Sequence, residues 1–421
     1  MLNKVRRVTQ KQLPKKLSQR ADFTYKFNLD YNRHNWLRLT PAFSLKIVDS
    51  IIDNKKDGLK ILDPFSGTAT TPLSAIYKKR EAIGLDINPF LVWFGNVKIA
   101  TYSKKTLGES IDCSDKIVNL IKNKQLNPID PPPIFNIHRW WDGRDLDYLC
   151  KIKSGIESAE IDTGAKNLLY VAFCRTIIDI SHVSFSHQSM SFNTNPGENL
   201  HKLLDDYIHP LSCFSQNTRL VIKGASENPL GSAKIINDDA RTMKKISKEK
   251  FDLLITSPPY PNRMSYIREL RPYMYWLEYL KEAREASDLD WDSIGGTWGV
   301  ATSRLLQWKP KHDRFIPDYL TEIIENIRSY DGKSGVLLAN YVEKYFEDMW
   351  FHFCSMKRVM NDNSEVHYII GNSKFYDFTV PTERVFSDML NAVGVKKSEI
   401  TPIRKRNSKK ELFEFKVSGF F

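Results

Sequence analysis

The stretch from residue 59 to residue 71 reads Leu-Lys-Ile-Leu-Asp-Pro-Phe-Ser-Gly-Thr-Ala-Thr-Thr. Its apolar pair, Ile61 and Leu62, predicts a short buried strand that ends at Asp63. The small residues that follow predict a tight turn, and a helix is expected from Pro72 to Tyr77. A strand, a tight turn and a helix in this order form the first half of a nucleotide-binding α/β unit.

A second strand completes this unit. Residues 82–85 read Ala-Ile-Gly-Leu and lead to Asp86, about 20 residues beyond the turn, where a ribose-binding carboxylate is expected. The chain contains no G-x-G-x-x-G fingerprint, so the ligand is expected to carry a ribose without a pyrophosphate. S-adenosylmethionine fits that description, and its carboxylate could bind at the helix N-terminus, where free N–H groups favour an anion.

The other informative stretch is Thr-Ser-Pro-Pro-Tyr at residues 256–260, which follows the apolar run 251–255. Consecutive prolines lack N–H donors and have a restricted φ, so the carbonyls around them are fixed acceptors at the end of a strand. With a hydroxyl before them and an aromatic ring after them, they could hold a planar base by its exocyclic amine and stack on its face. The alternative is a strand that ends in a rigid turn without chemistry, as most Pro-Pro pairs do.

Together these stretches resemble the motifs of the amino-group DNA methyltransferases, which methylate cytosine at N4 or adenine at N6. Residues 63–68 resemble the family's cofactor loop, usually written DPFxGxGT, and residues 85–88 resemble its ribose-binding segment. Residues 238–241 resemble its later acidic segment, whose carboxylate accepts from the adenine amine of the cofactor. Residues 257–260 resemble its catalytic motif, and residues 33–43 weakly resemble its N-terminal cofactor-side segment.

The resemblance assigns roles to individual residues. It implies an S-adenosylmethionine pocket built by Asp63, Pro64, Phe65, Ser66, Gly67, Thr68, Asp86, Ile87 and Asp239. It implies a catalytic loop formed by Ser257, Pro258, Pro259 and Tyr260. One departure is visible, because Ala69 stands where the family has its second glycine. An alanine there costs little if its φ is negative, whereas a positive φ would put cofactor binding in doubt.

The chemistry implied by the resemblance needs positioning more than a nucleophilic side chain. The exocyclic amine of cytosine is a poor nucleophile, so its nitrogen must be held in line with the methyl sulfonium. No covalent intermediate is required, in agreement with the absence of any Pro-Cys pair from the sequence. We assign the acceptors for the amine to the Ser257 hydroxyl and the Pro258 carbonyl, and the stacking surface to Tyr260. The base must be flipped out of the duplex to reach them.

The serine form of the catalytic motif is similar to that of the cytosine-N4 subgroup, whereas Asp or Asn at this place is commoner in adenine-N6 enzymes. The resulting prediction is a site-specific cytosine-N4 DNA methyltransferase of a restriction–modification system. Its substrate would be double-stranded DNA, and a cognate restriction endonuclease would act separately. Adenine-N6 methylation of DNA and guanine-N2 methylation of RNA are alternatives within the same chemistry. A non-catalytic DNA-binding protein with a methyltransferase-like fold is a third hypothesis.

The expected fold class is α/β, a Rossmann-like methyltransferase sheet with a large, mainly helical insertion. The next core strand after Asp86 is expected only at residues 233–236, and the intervening segment is too long for one structureless loop. We therefore divide the chain into a basic N-terminal segment (1–24), a discontinuous catalytic core (25–100 and 231–421) and a helical insertion (101–230).

The insertion is a candidate for target recognition, with a subdomain that only packs against the core as the equal alternative. Within it, Arg139-Trp140-Trp141 and residues 184–195 are the parts that could read base edges. In the second half of the core, residues 336–338 predict a buried strand. Residues 366–371 and 412–417 predict later strands, which in the family's fold would form a reversed hairpin at one edge.

The charge of the chain suits a polyanionic partner. Its formal net charge is +12 at pH 7 and its pI is about 9.2. The first 20 residues carry seven Lys or Arg and no acid, and residues 396–410 carry seven more against one Glu. Phosphate contacts are also expected near the catalytic loop, from Arg263, Arg268 and Arg271. Solvated tails and helical ion pairs are the alternatives.

Other functional classes lack support in the sequence. The five cysteines include no C-x-x-C pair and the histidines have no metal-ligand spacing, so no metal site is expected and the cysteines are expected to be reduced. No apolar run approaches a membrane-spanning length, and no signal peptide opens the sequence. The expected location is the cytoplasm, with no membrane partner.

Overall fold

The protein, represented by a computed structural model, is described over residues 17–37, 39, 43–184, 191–192, 209–262, 265–296, 301–311, 314–406 and 411–421. The strands are β1 Lys60–Asp63, β2 Glu81–Asp86, β3 Val183–Ser184, β4 Ser191–Phe192, β5 Ser232–Asn237, β6 Phe251–Thr256, β7 Met360–Gly371, β8 Ser373–Phe375, β9 Phe378–Val380, β10 Lys397–Lys405 and β11 Phe413–Phe420. The helices are α1 Leu45–Ile52, α2 Thr70–Tyr77, α3 Pro89–Ile99, α4 Lys104–Lys122, α5 Gly143–Ser158, α6 Thr163–Asp179, α7 Pro210–Ala225, α8 Tyr266–Trp276, α9 Ala283–Asp292, α10 Ala301–Gln307, α11 Asp318–Tyr330, α12 Gly332–Val359 and α13 Thr382–Ala392.

A seven-stranded sheet organises the core, in the order β10-β11-β7-β6-β1-β2-β5. The five strands from β7 to β5 are parallel, and β11 runs antiparallel between β7 and β10. This is a mostly parallel α/β sheet with the reversed hairpin β10–β11 at one edge, so the predicted α/β fold class is confirmed.

The first α/β unit forms where the sequence predicts it, because its local signals agree. The apolar residues of β1 and β2 lie in the buried centre of the sheet, and Ile61 pairs with Ala82 across the two strands. Helix α3 begins where Asn88 accepts a hydrogen bond from the amide N–H of Phe90 at 3.0 Å, with a proline at its first position. This cap turns the chain back over the sheet after β2.

The predicted strand at residues 336–338 is wrong. These residues lie inside α12, a helix of 28 residues. A short apolar run cannot be assigned to a strand or to a buried helix by periodicity alone. Tertiary packing favours the helix here. A Cβ at Gly335 would lie 2.7 Å from the backbone carbonyls of Ile327 and Arg328, so α11 and α12 pack backbone against backbone at this point.

The described part of the insertion is mainly helical, with α4 to α7 around a core of their own and the short hairpin β3–β4. The core continues into the catalytic region, since it also contains Phe90 of α3 and Trp276 of α8. Trp140 and Trp141 are buried in it, and Trp141 donates from Nε1 to the Ile177 carbonyl at 2.7 Å. The expectation that this tryptophan pair reads base edges is therefore wrong. Most of residues 184–195 lies outside the described residues.

Candidate active site

The candidate site lies at the carboxyl ends of the parallel strands. Connections leave β1 and β6 in opposite directions along the sheet, and such a switch point opens a crevice in an α/β fold. A cavity of about 340 Å³ occupies it. The predicted site residues that line this cavity are Pro64, Phe65, Ser66, Gly67, Thr68, Asp86, Ile87, Asp239, Ser257, Pro258, Pro259 and Tyr260. The structure thus brings both predicted motifs to one cavity.

Asp63 is the one predicted site residue that does not line the cavity. It is fully buried beneath it, where Oδ1 accepts hydrogen bonds from the Thr256 hydroxyl at 2.6 Å and from the Phe65 amide at 3.2 Å. This carboxyl group therefore ties the end of β1 to the end of β6. Burial raises its pKa to about 7.

The cofactor loop, residues 63–69, is tightly folded over β2. The Ser66 amide donates to the Leu85 carbonyl at 2.8 Å, and the Ala69 amide donates to the Ser66 carbonyl at 2.7 Å. Gly84 makes this approach possible, because a Cβ at that position would lie 2.5 Å from Ser66 Oγ. Gly67 has a φ of +49°, a left-handed conformation that glycine adopts without strain.

Ala69 occupies the left-handed region, with φ 58° and ψ 37°. This is the conformation that the family's usual glycine would adopt freely, and an alanine there costs roughly 1–2 kcal/mol. The residue is fully buried and stands at the N-cap of α2. Its methyl group faces Gly95, where an added Cβ would lie 3.3 Å away. The loop therefore keeps the left-handed turn without the second glycine, and the small residue on α3 leaves room for the methyl group.

Asp86 lies at the end of β2, where its carboxylate links the cofactor loop to the N-terminus of α3. Its carboxylate accepts hydrogen bonds from the amides of Gly67 at 2.9 Å and Asn88 at 2.8 Å. Burial raises its pKa to about 6. A carboxylate has about four lone-pair positions, so the group can still accept from a ligand's hydroxyl groups.

Asp239, at the far side of the cavity, is held by Arg241. The guanidinium donates from Nε to both carboxylate oxygens at 3.0 Å and from Nη2 to Oδ2 at 2.8 Å. The neighbouring residue Asp238 also lines the cavity and accepts from the Lys245 amide at 2.8 Å. The acidic pair is thus fixed in place before any ligand binds.

Two buried basic side chains that the sequence reading missed support the cofactor loop from below. Lys98 donates from Nζ to the Thr68 carbonyl at 2.6 Å, and burial lowers its pKa to about 7. His352 lies with its ring 4.8 Å from that of Phe65 and contacts the Ala240 carbonyl through Nδ1 at 3.0 Å. Burial lowers the His352 pKa to about 4, so this ring is neutral near pH 7.

The N-terminal part of the chain forms one wall of the cavity. Phe23, Thr24 and Tyr25 line it, together with Leu39 and Phe43 from the segment that resembles the family's cofactor-side motif. Within residues 17–24, included in the predicted basic tail, Phe23 packs against the core and the Ser18 carbonyl accepts from the Lys405 amide of β10 at 3.1 Å. Residues 1–16 lie outside the described residues.

In the predicted catalytic loop, residues 257–260, some polar groups are hydrogen-bonded within the protein and others are available to a ligand. The Ser257 hydroxyl donates to the Ile369 carbonyl at 3.0 Å, so its oxygen keeps free lone pairs. The Pro259 carbonyl already accepts from the Tyr345 hydroxyl at 2.8 Å. No donor in the described part of the chain reaches the Pro258 carbonyl. The loop therefore presents one hydroxyl oxygen and one carbonyl oxygen as open acceptors.

Tyr260 is held at both ends. Its amide donates to the Tyr266 hydroxyl at 3.2 Å, and its own hydroxyl donates to Glu414 Oε1 at 2.8 Å. The guanidinium of Arg406 lies 5.0 Å from the centroid of its ring. Sequence reading missed Tyr266, Glu414 and Arg406, because no local pattern links them to the catalytic motif.

Groups required by other kinds of site were also sought. Among the described residues, no three His, Cys, Asp or Glu side chains are grouped as metal ligands would be. All five cysteines are free. Across the described ranges, no helix combines the length and apolarity needed to cross a membrane.

Comparison with known proteins agrees with this architecture. No protein-family model matches the chain. The Type II methyltransferase M.BsoBI of Geobacillus stearothermophilus is 22% identical over 438 residues, covering 93% of this chain and 84% of that protein. The Type II methyltransferase M.MvaI of Kocuria varians is 20% identical over 390 residues, covering 85% of this chain and 80% of that protein.

Among solved structures, the rRNA methyltransferase aviRa from Streptomyces viridochromogenes aligns over 90% of this chain and 86% of that one. Its TM-score is 0.29 and its identity 8%, a likeness too low to bear on fold or function. The sequence likeness to the two type II methyltransferases, in contrast, extends over most of this chain. The chain is thus similar along most of its length to type II methyltransferases.

Proposed function

We propose that this protein is a site-specific DNA methyltransferase that transfers a methyl group from S-adenosylmethionine to the N4 amine of cytosine in duplex DNA. We further propose that it is the modification enzyme of a restriction–modification system and acts in the cytoplasm beside a separate cognate endonuclease. The type II names of its relatives support the DNA substrate and the modification role. The arrangement of the catalytic loop supports the choice of an exocyclic amine.

One observation carries the proposal: the Ser257 hydroxyl oxygen and the Pro258 carbonyl remain available as acceptors, whereas the Pro259 carbonyl accepts from Tyr345. An exocyclic amine bonded to an aromatic ring has two N–H donors in the plane of the base. The Ser257 oxygen, whose own proton is directed at the Ile369 carbonyl, and the unpartnered Pro258 carbonyl can accept one each. Tyr260 lines the same cavity and offers a ring for stacking.

The residues on the other side of the cavity fit S-adenosylmethionine. The Ser66 hydroxyl is 3% exposed, lines the cavity and has no hydrogen-bond partner among the described residues, so a ligand group can use it. We assign the ribose hydroxyls to Asp86, the adenine amine to Asp239 and a packing contact with the adenine to Ile87. The N-terminus of α2 is suited to the carboxylate of the cofactor.

The protein's contribution to the reaction is positioning. The bound cofactor supplies an electrophilic methyl group. The Ser257 oxygen and the Pro258 carbonyl orient the amine and draw electron density toward its nitrogen, while the Tyr260 ring fixes the plane of the flipped base. Holding two reactants in a productive geometry can supply roughly 7–11 kcal/mol of the barrier in the best cases. A covalent enzyme intermediate is unnecessary in this scheme.

We propose that basic residues around the cavity hold the DNA backbone and that the helical insertion, residues 101–230, recognises the target. Arg268 is exposed on α8, whose residues Tyr266, Ile267 and Leu270 line the cavity. The net charge of +12 favours phosphate contacts. Arg271 packs with its guanidinium 5.5 Å from the ring of Trp140, which gives this arginine a structural contact. Arg263 lies outside the described residues.

The test is methyl transfer by the purified full chain. Radiolabelled S-adenosylmethionine is supplied with mixed-sequence duplex DNA or with total RNA, and the labelled nucleosides are identified by chromatography and mass spectrometry. The proposal predicts N4-methylcytosine from DNA. N6-methyladenine from DNA, or N2-methylguanine from RNA, would replace it with one of the two alternatives. Transfer to neither polymer by a chain that binds the cofactor would support the non-catalytic hypothesis.

A further inference from the structure

The search for further functional residues leads to the C-terminal hairpin β10–β11, which reaches the catalytic loop from one edge of the sheet. Glu414 of this hairpin is 5% exposed and lines the cavity. It accepts from the Tyr260 hydroxyl at 2.8 Å and from Arg404, with Nε at 2.8 Å and Nη2 at 3.2 Å. A buried carboxylate with these three bonds is compensated in charge and fixed in orientation.

Arg406, two residues beyond Arg404, contacts the same tyrosine in a different way. Its guanidinium lies 5.0 Å from the centroid of the Tyr260 ring, within the range of a cation–π contact. Its Nη1 donates to the Asn372 carbonyl at 2.8 Å, which fixes the guanidinium itself. Gly371 provides the space, because a Cβ there would lie 2.0 Å from Arg406 Nη1 and 3.0 Å from Tyr260 Cδ2.

We propose that Glu414 and Arg406 are positioning residues that hold the Tyr260 ring in the orientation in which it stacks on the target base. Glu414 acts through the tyrosine hydroxyl, and Arg406 acts on the ring, covering one face so that the base stacks on the other. Arg404 acts through Glu414 by neutralising its charge. This inference rests on the proposed transfer to a flipped base, and it extends the site to residues that no motif contains.

The arrangement favours a role in positioning over one in stability alone. Tyr260, Arg404, Arg406 and Glu414 all line the cavity, so the cluster lies where the substrate would bind and not in the apolar core. Because the amide and the hydroxyl of Tyr260 both form hydrogen bonds, the orientation of its ring is fixed before the base binds. Such preorganisation lowers the cost of holding the base in the reactive geometry.

A double-mutant cycle tests the action of Glu414 through the hydroxyl. Single-turnover methyl transfer to duplex DNA is measured for the wild type, Tyr260→Phe, Glu414→Ala and the double variant. Each single variant should lower the rate about tenfold, since each removes one bond between a hydroxyl and a charged group. The double variant should also be about tenfold slower than the wild type. S-adenosylmethionine affinity should stay within about twofold, and Glu411→Gln, an exposed change on the same hairpin, should leave the rate unchanged.

A double variant about a hundredfold slower than the wild type would show that the two losses are independent, and would overturn the proposal for Glu414. Wild-type rates in both single variants would also overturn it. Arg406 gives a second route if Glu414→Ala fails to fold and so does not bind the cofactor. Arg406→Ala should lower the rate about fivefold in the wild type and leave Tyr260→Ala unaffected. An equal loss in both backgrounds would overturn the role of Arg406. A wild type that transfers no methyl group would instead refute the proposed function, so the two failures are distinguishable.

Discussion

The cofactor loop and the catalytic loop lie side by side at the carboxyl ends of β1 and β6, but they are held in different ways. The cofactor loop is fixed by near and by distant residues: the Gly67 amide donates to Asp86, 19 positions away, and Asp63 accepts from the Thr256 hydroxyl, 193 positions away. The catalytic loop is fixed by distant residues, with Ser257 bonded to the carbonyl of Ile369, 112 positions away, and Tyr260 bonded to Glu414, 154 positions away. The cofactor loop thus combines a local bond with a bond to β6, whereas Ser257 and Tyr260 are bonded to β7 and β11.

This difference has a mechanistic consequence. A loop held by β7, β11 and α12 has its geometry set only when the full sheet is assembled. Changes in distant elements are therefore expected to alter the transfer step and leave cofactor affinity intact, whereas changes within residues 63–88 should do the reverse.

The largest effect is expected from Ser257→Ala. It removes an acceptor that matters most as charge develops on the amine, so single-turnover methyl transfer should slow by about a hundredfold. S-adenosylmethionine affinity, measured by calorimetry, should not change. The exposed change Ser329→Ala on α11 serves as the control. Transfer at the wild-type rate would remove Ser257 from the reaction.

Asp86→Ala should show the opposite pattern. It removes a charged acceptor and also releases the amides of Gly67 and Asn88, so S-adenosylmethionine affinity should fall about tenfold to a hundredfold. Transfer at saturating cofactor should be much less affected. Calorimetry on this variant, with the exposed change Asp377→Ala as the matched control, decides the question. Unchanged affinity would exclude Asp86 from the cofactor site.

Asp63→Asn tests the buried link between the two loops through pH. The pKa of Asp63 is raised to about 7 in the folded protein from 3.8, so the folded state binds more protons than the unfolded state between these values. The contribution of this group to stability is therefore present below pH 4 and is lost as pH rises to about 7. The variant lacks this dependence, and its stability relative to the wild type should rise by about 2 kcal/mol from pH 5 to pH 8. Urea unfolding at the two pH values measures this, and a pH-independent difference would contradict it.

A smaller effect is expected from Tyr345→Phe. The change deletes only the hydroxyl that donates to the Pro259 carbonyl, which should cost about 1 kcal/mol of unfolding free energy. The freed carbonyl becomes a competing acceptor for the amine, so transfer should slow about threefold to tenfold while cofactor affinity is unchanged. Tyr330→Phe, at an exposed tyrosine, is the matched control. Weakened cofactor binding would show that a change at the catalytic loop also alters the cofactor loop, and would contradict this prediction.

Ala69→Gly should have the smallest effect. Glycine relieves the left-handed strain of roughly 1–2 kcal/mol but is more flexible when unfolded and loses the contact with Gly95. The expected net change in unfolding free energy is within about 1 kcal/mol, with cofactor affinity within about twofold of the wild type. Thermal unfolding and calorimetry check both. A large gain in affinity would mean that Ala69 distorts the loop in the native protein.

The local part of the site could be predicted because its signals lie close together in sequence. The strand before Asp63, the turn at Gly67 and the acid at the end of β2 each have a short-range pattern, and α2 ends at the predicted residue, Tyr77. The strand and turn at residues 251–260, which contain the predicted catalytic motif, have a short-range pattern for the same reason. The supports of this motif were not predictable, because Tyr345, Arg406 and Glu414 are ordinary residues until the sheet brings them to Tyr260.

The errors have the same physical origin. Residues 336–338 have the composition of a buried strand, but the contact between α11 and α12 stabilises a helix there. Trp140 and Trp141 follow Arg139 in the sequence, but the helices of the insertion enclose the two rings in a core. In both cases tertiary packing decides, and no local pattern reports it.

The most direct test of the central claim is the identity and position of methylated bases in DNA from cells that express the chain. Single-molecule sequencing of that DNA, compared with DNA from cells expressing Ser257→Ala, reads both at once. The account predicts N4-methylcytosine at one short recurring sequence with the wild type and its loss with the variant. N6-methyladenine in its place, or an unchanged pattern with Ser257→Ala, would contradict the account.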